Sequence, residues 1–164
     1  MARLRSRFTF AAPSHSRSVL LRSIPNFCLQ FDEHLRILRL EWVPRSDPRQ
    51  LRPSATRLLA LLDELGVQHL LLNMNSVPNL LLADQLWLGD HWMPGLVASD
   101  LRTLVLVIDT CQIHNQLAID ALHDLVHPAI RFESQYFTDM ASAFDWLTNG
   151  SPHLPKLVAE WAGR

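Results

Sequence analysis

Cysteine is scarce in this chain: Cys28 and Cys111 are the only two in 164 residues. They stand far apart and in no CxxC spacing, which removes the usual signature of a zinc site or a redox dithiol. Both read as free thiols buried within elements, where cysteine behaves as a small hydrophobe. Net charge is also small. Fifteen Lys and Arg against sixteen Asp and Glu leave −1, so no general pull toward nucleic acid is expected. No apolar run approaches the roughly 20 residues that span a bilayer. Glycine is limited to five residues. No GxGxxG, phosphate-binding loop, GxSxG or HExxH occurs. No local signature of catalysis, metal binding or cofactor use remains. The expectation is a non-enzymatic, cytoplasmic protein without a cofactor or metal.

What is present is ordinary globular material, 48% hydrophobic and 19% charged, enough for one domain with a core. Residues 1–25 read as a basic, irregular or disordered leader. They hold Arg3, Arg5, Arg7, Arg17 and Arg22, and no acid precedes Asp32. A transit peptide has the same composition. The domain proper spans residues 26–150, and residues 151–164 form a helical tail.

Hydrophobic spacing orders the elements. Residues 27–31 and 35–43 flank Asp32-Glu33-His34 and predict a β-hairpin with one face buried and one partly wet. Leu51, Ala55, Leu58, Leu62 and Leu65 recur at helical steps up to Gly66, a C-terminal cap. Residues 68–73 are a short buried strand, followed by a polar loop and a helix from Leu81 toward Gly89 or Met93. Residues 102–108 are a strand buried on both faces. A helix over 111–126, a strand near 130–137 and a helix through Trp146 and Leu147 complete the order. Strands alternating with helices predict an α/β fold: a mixed, mostly parallel sheet of about five strands with an opening antiparallel hairpin.

The string Leu35-Arg36-Ile37-Leu38-Arg39-Leu40-Glu41-Trp42, then Leu70 to Asn73, then Asp84-Gln85-Leu86-Trp87-Leu88 with Trp92-Met93-Pro94, and finally Phe144-Asp145-Trp146-Leu147 resemble the STAS domain. The type is that of SpoIIAA-like, STAS/SEC14 bacterial proteins. The resemblance implies a regulatory or ligand-binding module that acts through protein partners, nucleotides or apolar small molecules. It also implies an Asp-Ser pair at the start of the helix after the third strand, with a phosphorylatable serine. This chain departs there. It reads Asn79-Leu80-Leu81-Leu82-Ala83-Asp84, and Ser76 in the preceding loop is the nearest hydroxyl. Asn73 stands where many relatives carry Asp.

Two sets of residues are candidates. Asn73, Asn75, Ser76, Asp109, His114 and Asn115 fall near the C-terminal ends of two strands, where α/β sheets bind ligands. Capping and loop hydrogen bonds are the competing reading. On the helix from Leu81, positions 82, 86, 89, 93 and 97 share the expected sheet-facing side. Asp84, Trp87 and His91 then share the outer side, as a contact for a homodimer or a protein partner. His123 and His127 read as solvated helix-end histidines. A carrier of lipids or other apolar small molecules is the alternative, favoured by an apolar pocket lined by residues 80–82 and Trp87. A small hydrolase using His114 and Asp109 is the second alternative, favoured by a polar cleft joining them.

Overall fold

The computed structural model describes residues 18–164. Residues 1–17 of the expected leader lie outside the described residues. Six strands form one sheet in chain order: β1 Ser18–Leu21, β2 Phe27–Asp32, β3 Ile37–Trp42, β4 His69–Asn73, β5 Thr103–Val107 and β6 Glu133–Phe137. The first two pairings are antiparallel and the next three parallel. The α/β class and the opening hairpin are as expected, but the described residues form six strands rather than about five. The extra strand lies in the segment read as leader, where Ser18 to Leu21 pair with Asp32 to Leu29. Four residues on a sheet edge, one exposed and three half-buried, carry too little periodicity to be read locally.

Two layers of helix cover the sheet. α1 (Leu51–Leu65), α2 (Leu82–Trp87), α3 (Met93–Ala98) and α4 (Ile113–Val126) pack on one face. There Leu38, Leu40, Leu70, Leu104 and Leu106 meet Leu58, Leu62, Met93, Leu96 and Ala118. α5 (Met140–Thr148) and α6 (Leu154–Ala162) cover the other face, where Leu71, Val105 and Val107 meet Ala143, Phe144 and Leu157. Gly66 ends α1 at φ 60°, and its N–H and that of Val67 close the last carbonyls. This left-handed position favours glycine.

The second face is not the partly wet one that the alternation in β3 suggests. Arg39 is only 6% exposed. Its Nη2 lies 2.9 Å from Glu41 Oε1, and its guanidinium stacks 3.9 Å from the Trp161 ring of α6. Arg164 bonds the other oxygen of Glu41 at 3.1 Å and stacks on Trp161 at 4.1 Å. Gln30, paired with Arg39 across the sheet, donates to the Leu157 carbonyl at 3.0 Å and to Glu160 at 2.6 Å. α6 is thus held by a buried polar network as well as by Leu157.

His69 belongs to the same face, in register with Ile37 and Thr103. Its Nδ1 is buried without a hydrogen-bond partner among the described residues. Burial, and secondarily the charge of Arg102, push its pKa below the ordinary 6.5. The folded state therefore favours neutral His69. Its contribution to stability is complete above pH 6.5 and is lost as pH falls below that value, through the depressed folded pKa. Stability of the wild-type protein is expected to drop more between pH 7.5 and 5.5 than that of His69→Leu. Parallel urea titrations at the two pH values check this, and equal drops would refute it.

Candidate functional site

The polar residues at the strand ends do come together, as a set of ties. Asn73 lies on the α6 face and donates to Glu41 at 3.1 Å. An aspartate there would oppose the Glu41 carboxylate, which gives the neutral amide a physical reason. The Asn73 side chain also accepts the Asn75 N–H at 3.1 Å, and Asn75 accepts the Asp109 N–H at 2.7 Å. The chain leaving β4 is thereby fastened to the chain leaving β5. Asp109 accepts the Cys111 N–H at 2.9 Å, and backbone donation holds its carboxyl below the usual range. Cys111 itself is exposed, against the expectation of a buried thiol, because α4 starts only at Ile113. Cys28 is half-buried, and both thiols are free.

Asn115 is the centre of the second tie. It is fully buried. Its oxygen accepts the Leu80 N–H at 3.2 Å, and its amide donates to the carbonyls of Val77 at 3.1 Å and Pro78 at 3.4 Å. His114 Nε2 donates to the Leu80 carbonyl at 3.0 Å. On α4, His114 and Ala121 are exposed, and Asn115, Ala118 and Ile119 turn inward. His114 meets a carbonyl rather than the carboxylate of Asp109, which is engaged with the Cys111 turn. Ser76 is exposed in the loop.

Asp84, Trp87 and His91 are also brought together, partly by α1. Arg52 of α1 bonds Asp84 at 2.8 Å and lies 5.8 Å from the Trp87 ring. His91 stacks on Trp87 with ring centroids 5.7 Å apart. The expected sheet-facing side needs correction, because Leu82 and Leu86 are 70% and 60% exposed. Residues 88–92 form a π-helical turn in which the Met93 N–H reaches back to the Leu88 carbonyl. The wider turn changes the phase. Leu88, Met93 and Leu96 end up inside, while the turns before it present Leu82 and Leu86 to solvent. A strict 3.6-residue period cannot follow that shift.

Between the sheet and α1–α4 lies a cavity of about 130 Å³. Its floor comes from alternate residues of the central strands, including Leu40, Leu72, Leu104 and Leu106. Ala55 and Leu58 of α1, Leu88, Trp92 and Met93 around the π turn, and Ile119 and Leu122 of α4 close it. Trp92 props the wall, because its indole N–H donates to the Ala55 carbonyl at 2.8 Å. Gly89 faces α4 from the π turn; a Cβ there would sit 2.8 Å from Cδ2 of Leu125, the tip of an exposed side chain. Leu80 reaches the cavity, but Leu81, Leu82 and Trp87 do not. Sequence spacing marks most of these residues as core. It holds no signal that they leave a space, because the space depends on how far each helix is held from the sheet. No group of three or more His, Cys, Asp or Glu suited to a metal occurs among the described residues, and no helix of the described residues is long and apolar enough to cross a membrane. No family model, curated protein or solved structure matches the chain.

Proposed function

We infer that this protein is a non-enzymatic binding module, of the STAS type its sequence resembles, whose ligand is a compact apolar small molecule. The cavity carries this reading. At about 130 Å³ and lined almost wholly by carbon, it approaches the ~150 Å³ apolar cavity that stays dry and admits benzene or xenon. Packed interiors rarely leave voids larger than a water molecule. Such a void forgoes dispersion contacts, which a guest of the right shape would restore. The polar residues at the strand ends are better read as the frame than as the site: Asn73, Asn75, Asp109, His114 and Asn115 spend their hydrogen bonds holding the loops beside the cavity.

Titration with benzene, followed by methyl NMR, tests the reading. Saturable shifts are expected at Leu58, Leu104, Leu106 and Leu122, together with a thermal midpoint that rises with benzene concentration. Absence of shifts, or shifts confined to the exposed Leu82 and Leu86, would refute it.

A further inference from the structure

We propose that the ligand carries one hydrogen-bonding group, a phenolic or alcoholic hydroxyl on a compact apolar body, and that the Ser134 hydroxyl receives it. The inference rests on the cavity being the binding site. In the register of β5 and β6, Ser134 lies opposite Leu104 and Tyr136 opposite Leu106. Leu104 and Leu106 form the cavity floor, so Ser134 presents its side chain to the same face. Its Oγ is buried and has no hydrogen-bond partner among the described residues.

An unpaired hydroxyl in an apolar wall destabilises the empty protein, and an alanine of nearly the same shape would not. A strand offers no local remedy. A helical serine can bond the carbonyl one turn back, whereas no backbone carbonyl of the described residues lies within hydrogen-bond reach of the Ser134 Oγ on its strand. A water is a poor partner, since buried waters need two to four polar contacts and the accessible lining here is almost wholly apolar. A ligand hydroxyl needs only one. The polar atom that weakens the empty state then becomes the feature that selects the guest, because a site built to pair a hydroxyl rejects the analogue lacking it more strongly than shape alone can. The way in lies beside it. Tyr136, two residues along β6 and 42% exposed, and His123 of α4, with its side chain 31% exposed, are cavity-lining residues that also reach solvent.

The experiment compares benzene and phenol by calorimetry on the full chain and on Ser134→Ala and Ser134→Thr. Phenol is expected to bind the wild type at least as tightly as benzene. Ser134→Ala should weaken phenol at least tenfold, about 1.4 kcal/mol, and leave benzene within twofold. Ser134→Thr keeps the hydroxyl and should keep phenol. Thermal unfolding should show Ser134→Ala no less stable than wild type. Benzene binding with phenol excluded, or phenol binding untouched by Ser134→Ala, would overturn this inference and leave the cavity reading standing. Failure of both compounds to bind would overturn the two together.

Discussion

Glu41→Ala is expected to cost about 3 to 5 kcal/mol of folding stability, the range for removing one partner of a buried ion pair. Among the described residues, Glu41 is the only carboxylate bonded to both Arg39 and Arg164. Those two guanidinium groups lie 3.9 and 4.1 Å from the same Trp161 ring. Without Glu41, two like charges share one indole, and Arg39 stays buried between Trp161 and Phe144 with no counter-ion. Burial already pushes the Arg39 guanidinium down, and Glu41 is what holds it up. Asn73 loses its acceptor as well. The double variant Arg39→Met/Glu41→Leu removes both charges and should recover most of the loss, since hydrophobic replacements of a buried pair are often neutral. Urea unfolding of the single and double variants measures both. A loss below about 1 kcal/mol for Glu41→Ala would mean that Arg39 finds water, and that α6 does not seal this face.

The second large effect is expected at Asn115. Replacement by alanine strands the Leu80 N–H and the Val77 carbonyl, both on residues less than a tenth exposed. Each unmet buried group costs about 1 to 3 kcal/mol. Some of this is relieved if the loop moves out to water, so a net loss of about 3 kcal/mol is expected. Asn115→Asp keeps the acceptor for Leu80 but turns a carboxylate toward the Val77 carbonyl, and should also be destabilising. Chemical denaturation without any ligand is the relevant measurement. A residue that served only to contact a ligand would show little change there, and that outcome would return Asn115 to the role of a binding residue. Because Leu80 and Val77 line the cavity, loosening this tie should also weaken benzene, through the wall rather than through contact.

These two residues show how differently the sequence speaks about order and about environment. The run over β5 and the helical steps of α1 are legible because strand and helix periods are local. Gly66 is legible for the same reason, since a left-handed cap suits glycine. Arg39 and Glu41 look like the wet side of a strand, and only α6, more than a hundred residues later, decides that they are buried. Leu82 and Leu86 look like core, and only the π turn at residues 88–92 puts them in solvent. Asn73, Asn75, Asp109, His114 and Asn115 stand near strand ends, where the structure uses them in two separate ties. Their hydrogen-bond partners could not be read, because a partner such as the Leu80 carbonyl is backbone and carries no residue identity.

The sequence by itself determined the alternation of strands and helices, the antiparallel opening and the absence of any metal or phosphate motif. Those follow from side-chain spacing along a single element. The tertiary structure alone decided the sixth strand, the buried ion network under α6 and the cavity with the unpaired Ser134 hydroxyl in its lining. Each of these depends on which surface comes to cover another and at what distance. That is a property of packing between elements, and no residue states it alone.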